Sequence, residues 1–377
     1  MNNVQLNKKG ALSSNELQKL IDAGFISVPL ISDVKPSSID LVLGDDIYEV
    51  DGVFQNNSSK TVLETLKCMN AKKISFEQPL LCNHTYVVPV ITQMNLPSFV
   101  YGYANPKSST GRLDMHVRLL ADRVSWYDKI PQGFSATSWV MITPKTFSCV
   151  IRPGMSLNQI RLFSKDTRIN TERLEILMQK PGLLFEETIK DGVLKKKIQY
   201  KDMDLKDGKS LMLHVDCESS KIIGYKSKNT NQVIDFGKIN YYEYQDFFEV
   251  LEKKPGEPIL LEKDAFYILS TLEHVSVPNF LACEMSSIDD RLGDFRAHYA
   301  GFIDPGWGWG KFGEENGRQL TLEVRPFENM FILHRQPIAR VKFELLTSIP
   351  SEVYDSIGSN YTVQSGPTLS KHFKKIA

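Results

Sequence analysis

The stretch Asn-Pro-Lys-Ser-Ser-Thr-Gly-Arg-Leu at residues 105–113 decides the fold, because a degenerate copy of it, Ser-Ser-Ile-Asp-Asp-Arg-Leu, occupies residues 286–292. Residues 121–124 and 300–303 follow the two copies at the same distance along the chain. Equal spacing between degenerate motifs is what tandem duplication leaves behind. Two copies are too few for a solenoid, so the sequence predicts two small domains that pack together.

The composition of the chain is typical of a soluble enzyme. Its formal net charge is zero, which argues against a broad basic surface for DNA or RNA. The five cysteines are scattered without C-x-x-C spacing, which favours a reducing compartment. The sequence has no secretory leader and no apolar run of about 18 residues. We therefore expect a cytoplasmic protein with no nucleic-acid or membrane partner.

Short runs rich in β-branched and aromatic residues, separated by Gly, Pro, Asn and Asp, predict a mainly β protein. These predicted strands are residues 39–43, 85–90, 139–142, 147–151, 222–225, 265–270, 320–324 and 330–333. Helices are predicted at 14–22, where Ser13 and Glu16 have the spacing of a capping box, and at 171–179 and 241–251. Many strands with a few short helices favour two tandem distorted β-barrels or jelly-roll-type sandwiches.

The repeat and a charged, lysine-rich stretch between its copies predict the domain boundaries. The first domain is residues 1–165, and the second is residues 210–377. Residues 166–209 are interpreted as a solvated connector with extra hairpins.

Five motifs together resemble one enzyme superfamily. They are PSSIDL at 36–41, SSTGRL at 108–113, RPGM at 152–155, AGFIDPGW at 300–307 and YTVQSG at 361–366. In order and spacing this set resembles the dCTP deaminase and dUTPase superfamily, and most closely a long dCTP deaminase with two fused dUTPase-like copies. The resemblance implies a β-barrel enzyme that converts dCTP to dUTP and ammonia, with magnesium bound through the triphosphate.

Deamination of a cytosine ring needs an activated water at C4 and a proton for the departing amine, and one carboxylate can serve both steps. The His/Cys/Cys signature of zinc deaminases is missing from the sequence, so we expect no zinc. The resemblance places the general base on the strand after the AGFIDPGW motif, where Glu323 fits best. Residues 309–319 look like an inserted loop, and Glu314 and Glu315 within it are rival assignments.

The two copies keep complementary halves of the implied site. Ser108, Ser109 and Arg112 match the serine-serine-arginine motif that binds phosphate and orders the attacking water, with Ser108 and Arg112 assigned as catalytic alongside Glu323. The second copy places Asp289 and Asp290 at the equivalent point, where they would repel phosphate. We therefore predict one composite site, with the first copy facing the general base of the second.

The resemblance implies further substrate contacts. Asp304 would accept the sugar 3′-hydroxyl, and the Ala300 carbonyl would help to hold the water. Trp307 is assigned as a substrate contact, with a place in the core alone as the alternative. The other contacts assigned to the substrate are Lys107, which keeps the charge of the usual arginine, and Tyr361 and Gln364, which would fold over the triphosphate as a lid.

One contact at the end of the chain is left open by the sequence. The family often has a lysine just before the lid tyrosine, and this chain has Asn360 there. Lys371 and Lys374 are the candidates to replace it.

Two other functions are consistent with the sequence. One is a dUTPase, or a bifunctional enzyme that continues from dUTP to dUMP. The other is a non-catalytic nucleotide-binding module, since each copy alone is degraded. The sequence also leaves the assembly open between monomer, dimer and trimer.

Overall fold

β-Strands dominate the computed structural model, as the sequence patterns predict. The structure describes residues 8–30, 34–189, 193–203, 208–252, 254, 256–286, 295–296, 301–358 and 361–375. Its α-helices are α1 (Ser14–Asp22), α2 (Val62–Cys68), α3 (Ser108–Gly111) and α4 (Thr171–Gln179). Single 3₁₀ turns occur at Tyr200–Asp202, Tyr244–Asp246 and Tyr354–Ser356. Within these residues no helix is both long and apolar enough to span a membrane.

The strands of the first half run from β1 to β13. They are β1 (Ile26–Ser27), β2 (Ile39–Val42), β3 (Ile47–Val50), β4 (Lys72–Ile74), β5 (Thr85–Pro89), β6 (Gln93–Asn95), β7 (Tyr101–Pro106), β8 (Met115–Ala121), β9 (Lys129–Ile130), β10 (Ser135–Ala136), β11 (Ser138–Pro144), β12 (Ser148–Val150) and β13 (Ser156–Phe163).

The strands of the second half run from β14 to β27. They are β14 (Leu184–Ile189), β15 (Val193–Lys197), β16 (Leu211–His214), β17 (Ile222–Ser227), β18 (Val233–Asp235), β19 (Phe248–Glu252), β20 (Ile259–Leu261), β21 (Tyr267–Val275), β22 (Leu281–Ser286), β23 (Phe295–Arg296), β24 (Phe302–Ile303), β25 (Arg318–Pro326), β26 (Met330–Ile332) and β27 (Pro337–Leu345).

The two halves repeat one sheet topology. In the first half a sheet ordered β2-β13-β7-β9 lies beside one ordered β4-β3-β5-β11-β8. In the second half the sheet β16-β27-β22-β24 corresponds to β2-β13-β7-β9. The antiparallel series β19-β17-β21-β25-β23 corresponds to β4-β3-β5-β11-β8. The prediction of a mainly β chain with few short helices is confirmed. Duplication as the origin of the repeat stays a prediction.

Each half has its own apolar core between its two sheets. In the first half Leu41 of β2 and Ile160 of β13 pack in one cluster with Val140 of β11. In the second half Val341 of β27 and Leu322 of β25 share a separate cluster. Burial of apolar surface, worth roughly 25 cal/mol per Å², is the main force holding each sandwich together. The exact domain boundaries stay a prediction.

The helix predictions succeeded at two places and failed at others. Helices α1 and α4 form as expected, but residues 241–251 form a 3₁₀ turn and strand β19. Their aromatic side chains, including Phe247 and Phe248, are buried in a cluster with Phe147 and Phe373, and this packing overrides the local helical pattern. Helix α2 was not predicted from the sequence, although Thr61 and Glu64 form a complete capping box there.

At α1 the expected capping box is rearranged. The Ser13 hydroxyl donates to the Glu16 carboxylate at 2.7 Å instead of capping a backbone N–H. Glu16 also accepts bonds from Thr347 and Ser348, so these residues tie the start of the chain to the second half. Together these hydroxyls outweigh the burial of the carboxylate and lower the pKa of Glu16.

The interpretation of residues 166–209 as solvated is wrong for the part that the structure describes around α4 and β14. Leu174, Met178 and Leu184 are buried in the core of the second half. Strand β14 pairs with β21, so the stretch extends a sheet of that half. Because β15 is rich in lysine, the sequence pattern indicated a solvent-exposed stretch, although α4 and β14 carry apolar residues that are buried.

A fully buried arginine from the first half, Arg161 on β13, inserts into the second half. Its guanidinium donates to the Cys283 carbonyl at 3.0 Å and to the Ile303 carbonyl at 3.4 Å, and it lies 3.6 Å from an oxygen of Asp304. The same group covers the Phe302 ring at 4.3 Å. Arg161 therefore binds the two halves at the turn that carries Asp304.

We predict that Arg161→Met lowers the free energy of unfolding by about 3–5 kcal/mol, because it leaves Asp304 buried without its cationic partner. The measurement is urea unfolding followed by fluorescence. The matched control is Arg152→Met, which removes a half-exposed arginine paired with Asp235 and should cost far less, because water screens this pair. Equal stability of Arg161→Met and Arg152→Met would contradict the prediction.

Candidate active site

A cavity of about 390 Å³ lies between the two halves, within the size range of small-molecule sites. All the site residues expected from the sequence line it except Ala300, which lies outside the described residues. The lining members of that set are Lys107, Ser108, Ser109, Arg112, Asp304, Trp307, Glu323, Tyr361 and Gln364. One chain thus brings the serine-arginine motif of the first half and the strand glutamate of the second to the same cavity.

Glu323 lies on β25 and is only 2% exposed. It faces the one-turn helix α3, and a Cβ built on Gly111 would lie 2.9 Å from the Glu323 carboxylate. A larger residue at position 111 would displace the Glu323 carboxylate, so the close contact requires glycine there.

The rival carboxylates are engaged elsewhere and do not line the cavity. Glu314 accepts bonds from the backbone N–H groups of Lys311 and Phe312 within its own loop. Glu315 pairs with Arg318 at 2.7 Å. The loop in which they lie ends at residue 317, and Arg318 and Gln319 already belong to β25. Placement therefore favours Glu323 over both.

Two residues beyond Glu323 on the same strand, Arg325 crosses to the first half and pairs with Asp114. The carboxylate of Asp114 is fully buried and accepts from both Nε and Nη2 of Arg325. The Thr146 hydroxyl also donates to Asp114, and Arg325 donates to the Asp264 carbonyl. Asp114 directly follows the serine-arginine motif, so the pair fixes β25 against that motif. Neither Asp114 nor Arg325 was predicted from the sequence to have a role.

Arg112 binds the C-terminal segment, residues 361–375, as well as lining the cavity. Its guanidinium donates to the side-chain oxygen of Gln364 at 2.9 Å and to the Thr368 carbonyl at 3.0 Å. It also lies 3.8 Å from the centre of the Tyr361 ring, a cation–π contact. The two lid residues expected from the sequence, Tyr361 and Gln364, are accordingly buried over the cavity.

Further bonds secure the C-terminal segment to both halves. The Gln364 amide donates to the Gln319 carbonyl at 2.7 Å, and the Gly366 N–H donates to the Gln319 side chain at 2.9 Å. The Ser370 hydroxyl donates to the Ser109 carbonyl at 2.8 Å. The segment therefore closes one side of the cavity, and Gln319 and Ser109 are its anchors.

Lys107 and Asp40 form an ion pair in the cavity wall, at 2.5 Å from Nζ to Oδ2. Lys35 lies 3.6 Å from the same carboxylate oxygen, and Lys371 of the C-terminal segment lines the cavity nearby. Neither Lys35 nor Asp40 was predicted to have a role, although both lie in or beside the PSSIDL motif that carried the resemblance.

Asp304 and Trp307 line the cavity from the turn after β24. The Ser37 hydroxyl donates to Asp304 at 3.0 Å. Burial raises the pKa of Asp304, against the opposing effect of Arg161. Trp307 is buried against Tyr354, with ring centres 5.0 Å apart, so it belongs to both the core and the cavity wall.

Three buried polar atoms on cavity residues have no hydrogen-bond partner within the described part of the chain. They are Asp40 Oδ1, Arg112 Nε and Thr321 Oγ1. Buried polar groups are normally paired, so unpaired ones in a cavity mark contacts for a bound molecule. The lysine-rich wall of the cavity suits a phosphorylated substrate. The buried carboxylate beside the serine-arginine motif suits proton transfer to or from that substrate.

No group of three His, Cys, Asp or Glu side chains with metal-binding geometry occurs in the described ranges.

Two family models match the chain. The model described as "2'-deoxycytidine 5'-triphosphate deaminase (DCD) N-terminal domain" matches residues 8–166. The model described as "2'-deoxycytidine 5'-triphosphate deaminase (DCD), C-terminal domain" matches residues 186–373.

Individual proteins match as well. A "dCTP deaminase, dUMP-forming" of Dictyoglomus turgidum is 30% identical over 182 residues, which cover 47% of this chain and 81% of that protein. One of the same name from Mycolicibacterium gilvum is 34% identical over 137 residues, which cover 35% of this chain and 67% of that protein. The crystal structure of 2'-deoxycytidine 5'-triphosphate deaminase from Agrobacterium tumefaciens superimposes with a TM-score of 0.80 at 29% identity. That match covers 92% of this chain and all of the other.

We predict strong coupling between Asp114 and Arg325. Asp114→Asn should lower the free energy of unfolding by about 3–5 kcal/mol, because it leaves a buried guanidinium uncompensated. The double variant Asp114→Asn/Arg325→Met should lose clearly less than the sum of the single variants, as a urea double-mutant cycle would measure. Arg118→Met, at a more exposed pair with Asp128, serves as the control. Additive losses for Asp114 and Arg325 would show that the pair does not join the halves.

Proposed function

The chain belongs to the 2'-deoxycytidine 5'-triphosphate deaminase family, and on that premise we propose that it deaminates dCTP with Glu323 as general base. The resemblance drawn from its motifs is thereby confirmed at the level of the family. The observation that carries the proposal is the placement of the buried Glu323 carboxylate against Gly111 of the serine-arginine motif, in a cavity that both halves line.

In the proposed reaction a water molecule adds to C4 of the cytosine ring. Glu323 takes one proton from that water and delivers it to ring N3, and then moves the second proton from the resulting C4 hydroxyl to the amino group, which leaves as ammonia; one C–O bond forms and one C–N bond breaks. The Ser108 hydroxyl would help to hold the water. The balance is dCTP and water to dUTP and ammonia, with no net change in the protonation of Glu323.

The remaining contacts divide between sugar and phosphates. Asp304 would accept the 3′-hydroxyl, and Trp307 would pack beside the nucleoside. Ser109, Lys107 and Arg112 would serve the triphosphate end, with Arg112 also holding Tyr361 and Gln364 over it. Lid closure of this kind excludes water from the reacting centre. The Ala300 carbonyl stays a proposed contact to the water.

Magnesium is proposed to enter with the triphosphate, where it neutralises phosphate charge. Among the described residues Asp40 Oδ1 is a suitable oxygen for it, because this atom is buried there without a hydrogen-bond partner. Zinc-independent chemistry, a cytoplasmic location, a role in dUTP supply and assembly as monomer, dimer or trimer are likewise proposals that rest on the sequence.

A second candidate product is favoured by a specific observation, since the matched relatives are named dUMP-forming. An enzyme of that kind would hydrolyse dUTP further to dUMP and pyrophosphate before release. The cavity holds both a base-side carboxylate and a cationic phosphate wall, which is compatible with either outcome.

We predict that Glu323→Gln lowers kcat for dCTP by about 10²- to 10⁴-fold, the usual loss for a general base. The affinity for dCTP should stay within a few fold, because the amide keeps the shape of the side chain. Ammonia release and calorimetric titration measure the two quantities. Glu315→Gln, which changes a carboxylate that does not line the cavity, is the control and should keep wild-type turnover. Unchanged turnover in Glu323→Gln would contradict its assignment as the general base. Binding of dCTP without turnover in the wild type would favour the non-catalytic nucleotide-binding module.

We expect dCTP incubated with the protein and magnesium to yield ammonia together with dUTP or with dUMP and pyrophosphate. Ion-exchange chromatography separates these products, and dUTP, CTP and dCMP are the comparison substrates. Accumulation of dUTP supports the simple deaminase. Direct appearance of dUMP and pyrophosphate supports the bifunctional enzyme, whereas hydrolysis of dUTP without ammonia from dCTP would support a dUTPase.

A further inference from the structure

A buried hydroxyl near Glu323 has no partner of its own. Thr321 of β25 is 6% exposed, and its Oγ1 is buried with no hydrogen-bond partner in the part of the chain that the structure describes. An unpaired buried hydroxyl lowers the stability of a fold, whereas valine would fill nearly the same space without that cost. Threonine at this position therefore points to a hydrogen bond that forms when a molecule is bound.

Thr321 lies on the face of β25 that borders the cavity. Residues two apart on a strand point to the same side, so Thr321 and Glu323 share this face, and both line the cavity. Leu322 and Val324, which alternate with them, pack in the apolar core of the second half. The unpaired hydroxyl is therefore directed into the space that the Glu323 carboxylate borders.

The next residues on the same face of β25 are held by the protein itself. Beyond Glu323, Arg325 is held in the buried ion pair with the first half. Before Thr321, the Gln319 amide donates to Asp216 at 3.1 Å. Neither Arg325 nor Gln319 lines the cavity. A bound molecule that touches Glu323 and extends along β25 therefore meets Thr321 next.

The spacing of the two cavity-facing side chains suits a pyrimidine ring. Strand residues two apart are roughly 6–7 Å from each other along the chain. A ring with its C4 beside the Glu323 carboxylate can turn its 2-oxo oxygen toward Thr321. That oxygen is a hydrogen-bond acceptor, and a threonine hydroxyl can donate to it.

We propose that the Thr321 hydroxyl donates a hydrogen bond to the 2-oxo group of the pyrimidine ring and so positions C4 against Glu323. The proposal deepens the proposed function, on which it rests for the identity of the base. Deamination leaves the 2-oxo oxygen unchanged, so the contact holds the ring of the substrate and of the product alike.

The binding test is calorimetric titration of the full chain with α,β-imido-dUTP and magnesium. This probe keeps the 2-oxo group, and it is neither deaminated nor cleaved between its α and β phosphates. Inorganic tripolyphosphate is the ligand without a base. Thr321→Val should weaken α,β-imido-dUTP binding about 5- to 30-fold, because the buried oxygen loses its donor, and should leave tripolyphosphate binding unchanged. Thr321→Ser should recover most of the loss, since it restores the hydroxyl.

Thr143 provides the matched control. It lies on β11, the first-half counterpart of β25, and is also 6% exposed, but its hydroxyl is paired with that of Thr85 at 3.1 Å. Thr143→Val should bind both ligands like the wild type and unfold at a lower urea concentration. Thr321→Val should keep at least the wild-type stability, because it removes an unpaired hydroxyl. Equal losses of stability in the two variants would assign the Thr321 hydroxyl to the fold and overturn the proposal.

Turnover of 2-thio-dCTP tests the oxygen itself, because sulfur is a weak acceptor. The wild type should lose about the same factor in kcat/KM on 2-thio-dCTP as Thr321→Val loses on dCTP. Thr321→Val should lose little more on the thio compound, as a cycle of enzyme and substrate changes would measure. Losses that simply multiply would place the hydroxyl against another part of the substrate and overturn the 2-oxo contact.

The remaining outcomes separate this proposal from the proposed function. Wild-type affinity for α,β-imido-dUTP in Thr321→Val overturns the proposal, as does an equal loss of affinity for tripolyphosphate or a wild-type chain that binds neither ligand. A chain that binds α,β-imido-dUTP through Thr321 but releases no ammonia from dCTP upholds the contact to the ring and overturns the proposed function. Ammonia release with an unchanged kcat/KM in Thr321→Val has the opposite meaning.

Discussion

The buried ion pair between Arg325 and Asp114 is the constraint on which the site depends. It joins the strand that carries Glu323 to the residue that follows the serine-arginine motif, so neither half can shift without leaving a charge unpaired in the interior. Gly111 then allows the close approach that the pair imposes. A composite site needs this kind of restraint, because a displacement of about 1 Å can cost a large factor in rate.

The cavity separates its charges by position. Glu323, which is 2% exposed, and Asp304, whose pKa is raised by burial, lie in walls supplied by the second half, while Lys107 and Lys35 lie in the first half around Asp40. The C-terminal segment crosses between these regions. In the proposed reaction, proton transfer would take place at Glu323 and phosphate recognition beside the lysines, within one cavity.

Local patterns predicted the strands well and long-range packing poorly. The runs around Leu322 and Val140 became central strands, because their β-branched and apolar residues suit a two-sided core. Residues 241–251 were misread, since Phe247 and Phe248 found aromatic partners far away in the chain. Asp40 was in view as part of a motif, but its pairing with Lys107 depends on a contact across the sheet that spacing does not reveal.

The sequence by itself determined the family, the mainly β class and the division of the motifs between the two halves, because these depend on residue types and their order. Only the tertiary structure decided which charges meet. Arg325 faces Asp114, Arg112 holds the C-terminal segment, and Lys371 lines the cavity while Lys374 does not. Such pairings join residues from distant parts of the chain, and the folded geometry selects among many carboxylates and cations that are equivalent in sequence.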